Sequence, residues 1–267
     1  MIIDIHTHAF PDAVAPKAKA ALCANLDSDY VPTTDLTAGM LEKRAEEWGI
    51  DHPVLQPVVT APKQIRSINL WAAQINEKNG RLISFGGVWP GSENYKEDVD
   101  LVVSLGLKGI KLHPEYQQFF VDDPAALRLY DYAFSKGLVI LQHAGYDPAY
   151  KPPFHSDPHR FAAVADAMRG GQMILAHLGG QSQWDDVEKY VCGKDGLYLD
   201  TSMGSRYYPK EQLLRIIRAH GADKILFGTD TPWSDAGEEL AYLRSLPLGE
   251  DEKAAILGGN AERLLGL

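Results

Sequence analysis

The sequence predicts an α/β protein, a (β/α)8 TIM barrel forming a single domain over residues 1–267. Three observations lead there. Eight short runs rich in Ile, Leu and Val alternate with amphipathic stretches, as buried parallel strands alternating with helices require. Their spacing, about 33 residues per unit, suits a barrel of the usual length of roughly 250 residues. Ionisable residues gather at the carboxyl ends of five runs, and in a closed barrel those ends share one rim. An open doubly wound sheet is the runner-up.

The first run is Ile2–His6. The helix expected over 37–48 starts on the capping hydroxyl of Thr37 and sets Met40, Leu41, Ala45 and Trp48 along one apolar stripe. Pro53–Val58 with a helix over 64–79, Leu82–Val88 with 93–105, and Leu107–His113 with 123–136 form the next units. Leu138–His143 with 157–169, Met173–His177 with 184–191, Leu197–Thr201 with 209–220, and Ile225–Asp230 with 250–265 complete the count. Gly49, Gly80, Gly106, Gly137, Gly170 and Gly221 stand where these helices should stop. The longest irregular stretches, 10–35 and 144–156, follow the first and fifth strands and overhang the rim.

Acidic residues outnumber basic ones by 36 to 26, so a net charge of -10 gives nucleic acid or an anionic membrane no general attraction. Cys23 and Cys192 are too few for a disulfide framework and too far apart in sequence for a chelating pair. The opening residues lack the basic segment and apolar run of a signal peptide, and no apolar stretch approaches about 18 residues. The expectation is a soluble, cytoplasmic protein with a small-molecule substrate. A homodimer is compatible with the sequence, which leaves assembly open.

His6-Thr7-His8 ends the first run, and strand alternation sends both imidazoles to one face, about 7 Å apart along the chain. That spacing lets both reach one metal ion. The fifth run closes on His143, the sixth on His177 and the eighth on Asp230, so each stops on a potential ligand. Neutral imidazoles with one carboxylate can hold zinc and leave a position open for water. Asp230 then both ligates and accepts a proton, while His177 orients water or polarises a substrate oxygen. His155 and His159, on the loop after the fifth strand, read as solvated or substrate-facing, and His52 and His220 as helix-end or loop residues. Other chemistries lack their parts, for no Gly-rich phosphate fingerprint follows the first strand and no Gly-X-Ser-X-Gly elbow is present.

With these residues the chain resembles the amidohydrolase superfamily, in the branch that includes aminocarboxymuconate-semialdehyde decarboxylase-like enzymes. The likeness rests on Asp4-Ile5-His6-Thr7-His8, Gly109-Ile110-Lys111-Leu112-His113-Pro114, His143, Ile174 to Gly180, Gly228-Thr229-Asp230-Thr231-Pro232 and Asn260-Ala261. The resemblance implies His6, His8, His143 and Asp230 as metal ligands and His177 as a residue acting on water or substrate. The implied cofactor is a divalent metal, zinc first and manganese second. The fourth strand departs from better-understood branches. Where a deoxyribonuclease-like enzyme has a bridging glutamate, this chain offers Lys111 and His113, and Lys111 reads as a carbamylated ligand like that of phosphotriesterase-like enzymes, as an uncarbamylated substrate-binding cation or as a paired core charge.

Lys111, His113, Arg206, Trp89 and Trp233 are the substrate-binding candidates, Arg206 for a carboxylate and the two tryptophans as walls of the site. Glu115, Tyr116 and Gln117 read as solvated or substrate-facing, and Trp48 and Trp71 as helix packing. The leading functional expectation is a metal-dependent hydrolase of a small carbon-nitrogen or ester substrate. The alternative is nonoxidative decarboxylation of a small unsaturated or aromatic acid.

Overall fold

In the computed structural model, which describes residues 1–24, 30–78, 80–168 and 170–267, parallel strands follow one another in chain order. They are β1 (Ile3–Thr7), β2 (His52–Leu55), β3 (Ile83–Ser84), β4 (Gly86–Gly87), β5 (Gly109–Leu112), β6 (Val139–Gln142), β7 (Met173–Leu175), β8 (Leu197–Asp200) and β9 (Ile225–Leu226). The third expected run is thus two short strands. Phe85 joins them and donates its amide to Leu55 O at 3.0 Å.

One sheet orders β1-β2-β3 and the other β4 through β9. The first and last strands also meet: Ile5 N donates to Phe227 O at 2.9 Å, Asp230 N to His6 O at 2.8 Å, and Thr7 bridges Thr231. These bonds bring the two ends of the strand series together, as the expected barrel requires.

Every residue of β5 is buried, and alternation divides its side chains between two surroundings. Ile110 and Leu112 join the apolar layer beneath the helices, with Val99, Leu129 and Tyr130, while Lys111 and His113 face a cavity on the inner side. The helix Ala38–Trp48 starts where expected, Thr37 Oγ accepting the Met40 amide, and Gly49 closes it at a φ of 75°. Of the six glycines expected to end helices, Gly80 alone lacks a positive φ.

Three expectations are corrected. The stretch 10–35 contains a helix, Ala15–Cys23, and residues 25–29 of it lie outside the described residues, as do the last residues of the helices expected over 64–79 and 157–169. A further helix, Ala236–Arg244, is capped by Asp235, whose carboxylate accepts the Gly237 and Glu238 amides. The helix expected over 250–265 is interrupted by a π-helical turn at Ala255–Gly259. Gly258 packs there against the Met1 backbone so closely that a Cβ would lie 2.3 Å from Met1 O.

Candidate metal centre

The carboxyl ends of the strands carry the polar groups, and the backbone there is strained. His177, Leu178, Met203 and Asp230 hold left-handed φ values of 56°, 54°, 61° and 64°. Residues without a glycine's freedom keep that conformation only where their surroundings impose it.

His6 and His8 leave β1 with their Nε2 atoms 3.2 Å apart. Their tautomers follow from the other ring nitrogens. His6 Nδ1 lies 2.9 Å from the Asp200 carboxylate and His8 Nδ1 2.9 Å from Gln56 O; both partners are acceptors, so each Nδ1 carries the proton and each Nε2 keeps its lone pair. Asp230 Oδ1 lies 3.1 Å from His8 Nε2 and 3.4 Å from His6 Nε2. Two bare imidazole lone pairs and a carboxylate therefore face one another, a donor set that fits a divalent cation. Lys111 Nζ, 3.1 Å from His6 Nε2, points its ammonium at the same lone pair.

A second chain of bonds fixes His177. Its amide and the Ser202 amide both donate to Asp200 Oδ1 at 3.0 Å, and Ser202 Oγ donates to the same oxygen at 2.5 Å. With its proton committed there, Ser202 Oγ accepts from His177 Nδ1 at 2.9 Å, which leaves His177 Nε2 as a lone pair 3.2 Å from His143 Nδ1. One buried carboxylate thus orients two histidines from different strands, as residues behind metal ligands do. Asp200 escaped the sequence reading, although Leu199-Asp200-Thr201 ends its run on a carboxylate just as the sixth ends on His177.

Electrostatics keep the imidazoles neutral. Burial, with Lys111 adding to it, lowers His6 below its ordinary value, and burial pushes His177 down to about 4. Burial also lowers His113 and His143, each helped by neighbouring histidines. For Asp200 burial opposes ionisation, but the attraction and hydrogen bond of His6 prevail, holding it at about 2. Lys111 is pushed down to about 8 by burial, against the pull of Asp230 and Asp200.

The structure places the remaining candidates unevenly. His143 does not fall in the His6, His8 and Asp230 group; its ligand atoms lie within 4.8 Å of those of His113 and Asp147 instead. Its ring stacks 4.3 Å from His113, which stacks 3.9 Å from Tyr116. Trp233 lines the cavity as expected. Trp89 and Arg206 are not among the described residues lining it, and the Arg206 guanidinium lies over the Tyr30 ring at 4.8 Å. Trp71, expected to serve packing alone, both packs and lines the cavity.

Glu115 and Gln117 are buried, not solvated. Gln117 donates to Val59 O and Val88 O, pinning the loops after β2 and β4 together, and Glu115 pairs with His155 at 2.5 Å. The cavity measures about 370 Å³, within the usual range for small-molecule sites, and its lining is mostly apolar and aromatic around these polar groups.

A barrel with this rim of histidines and a final-strand aspartate defines a class. The chain belongs to the amidohydrolase family, whose model matches residues 3–267, and the resemblance read from the sequence is borne out. No curated protein matches the chain.

Among solved structures, 5-carboxyvanillate decarboxylase from Sphingomonas paucimobilis is similar with a TM-score of 0.75 and 16% identity, covering 100% of this chain and 99% of that one. A second 5-carboxyvanillate decarboxylase, from Novosphingobium aromaticivorans and solved with bound manganese and 3-methoxy-4-hydroxy-5-nitrobenzoic acid, has a TM-score of 0.76 and 12% identity, covering 100% and 97%. For 2,6-dihydroxybenzoate decarboxylase from Rhizobium the values are 0.71 and 17%, covering 99% and 98%. At these identities the likeness is one of fold. No helix among the described residues is long and apolar enough to cross a membrane.

Proposed function

We propose that this chain is a metal-dependent nonoxidative decarboxylase of a small aromatic carboxylic acid. The observation that carries the reading is the convergence of His6 Nε2, His8 Nε2 and Asp230 at the cavity, with both tautomers set from behind. Those three residues would hold a divalent metal, without His143, whose ligand atoms group with those of His113 and Asp147. Manganese is favoured by the similarity to a manganese-bound decarboxylase, and zinc by the ligand chemistry. When bound, the metal supplies a Lewis acid for the substrate's oxygens.

The chain's own residues do the rest. The buried Lys111 ammonium neutralises the substrate carboxylate, burial strengthening the attraction. Asp230, held as a carboxylate, takes the proton of a ring hydroxyl and delivers it to the ring carbon that bears the carboxylate. The carbon-carbon bond then breaks, its electron pair restores the ring, carbon dioxide leaves, and the phenolate product takes a proton from solvent. His177, its ring fixed between Ser202 Oγ and His143, positions the substrate for that transfer.

Hydrolysis of a carbon-nitrogen or ester bond, the first expectation from the sequence, uses the same parts with water as the nucleophile, but the likeness to several solved decarboxylases supports decarboxylation. The test is a panel of carboxyl-labelled hydroxybenzoates incubated with manganese-loaded protein. Labelled carbon dioxide is the expected product. Amide or ester cleavage, with no carbon dioxide from any acid, would return the reading to hydrolysis.

A further inference from the structure

Beyond its polar end, the cavity is walled by two helices that turn apolar faces into it. Val14, Ala18 and Leu22 recur at four-residue spacing on and just before the helix Ala15–Cys23, and Ile68 and Trp71 share a face of the helix Ile65–Glu77. None of these side chains is fully buried, and Val14 remains 46% exposed. Such faces normally close against protein. Here they line the same space as the His/Asp cluster.

Size and charge narrow what fills that space. A cavity of about 150 Å³ holds a single benzene-sized ring, so 370 Å³ leaves room beyond one ring and its carboxylate. Lys111 is the one lysine or arginine among the described residues lining the cavity, and it sits at the histidine end. The helical end therefore offers no cation to a second anionic group.

We propose that the two helices form a subsite for an uncharged, apolar substituent on the substrate ring, so that the preferred substrate is an alkyl- or aryl-substituted aromatic monocarboxylic acid. The proposal rests on the decarboxylation reading for the carboxylate, and on the cavity alone for the substituent. The substituent lies along Ile68 and Trp71 with Val14, Ala18 and Leu22 opposite, and the carboxylate points to Lys111.

The test is binding of 4-alkyl-2-hydroxybenzoates, from methyl to hexyl, to the manganese-loaded full chain, read by quenching of tryptophan fluorescence and paired with carbon dioxide release. Affinity should rise about threefold to fourfold per methylene until the subsite is full. Ala18→Trp, which narrows the space between the helices, should flatten that rise, and circular dichroism would establish that the variant is folded. A terminal carboxylate on the chain should abolish the gain.

Affinity independent of chain length in the wild type would overturn the proposal, as would tighter binding of the dianionic analogue. So would a concentration-dependent dimer that Ala18→Trp disrupts while the series stays flat, because a second copy would then cover the faces. A steep series without carbon dioxide release leaves the subsite standing and removes the decarboxylation reading. Carbon dioxide release with a flat series does the reverse.

Discussion

Replacing Asp200 with asparagine separates the carboxylate that organises the site from the residues that touch substrate. Asp200 is fully buried and accepts from His6 Nδ1 at 2.9 Å and from the His177 and Ser202 amides at 3.0 Å. In Asp200→Asn the amide oxygen can keep the two backbone donors, but its NH2 then faces a protonated His6 Nδ1, donor against donor. His6 relieves the clash by moving its proton to Nε2, which removes the lone pair meant for metal.

Loss of such a partner costs roughly tenfold to a hundredfold in metal affinity, about 1.4 to 2.7 kcal/mol. The assay is competition for manganese or zinc against a chromogenic chelator, with the thermal midpoint recorded beside it. Metal affinity within threefold of the wild type in folded Asp200→Asn would refute the claim that this carboxylate sets the His6 tautomer.

Other predictions test neighbouring parts. His177→Asn should lower turnover by about a hundredfold to ten-thousandfold with metal content retained; loss of most metal from the folded variant would make His177 a primary ligand. His220 is buried, accepts the Gly193 amide at Nδ1 and donates to Leu197 O, and burial pushes its pKa down to about 4. The neutral ring is therefore favoured in the fold, and its contribution is full above about pH 6.5 and lost as pH falls towards 4. His220→Gln should reduce the loss of unfolding free energy between pH 7 and 4 by about 2 to 3 kcal/mol, and an unchanged pH slope would count against this. Gly145 has a φ of 82° and a Cβ there would lie 2.3 Å from Gln181 N, so Gly145→Ala should destabilise by more than about 1 kcal/mol; an unchanged thermal midpoint would show that the loop carrying Asp147 adapts.

The strand ends were legible in the sequence because a buried strand that stops on histidine or aspartate is a local signal: His6, His8 and Asp230 stood out as potential ligands, and the family resemblance singled them out. Relations across the barrel were not. Asp200 matters through His6, 194 residues away, and Gln117 through two carbonyls on other loops, contacts that no local period records. Arg206 and Trp89 follow strands as rim residues do, yet neither is among the described residues lining the cavity. The helices Ala15–Cys23 and Ala236–Arg244 have low apolar asymmetry, so periodicity failed there, and the cavity face of the first is apolar where a solvated face would be polar.

The most direct measurement of the central claim is an anomalous difference map at the manganese edge from crystals of the manganese-loaded protein. The account predicts a peak bounded by His6 Nε2, His8 Nε2 and the Asp230 carboxylate, with Asp200 still on His6 Nδ1. A map with its only peak among His113, His143 and Asp147, or with no peak in the cavity, would contradict it.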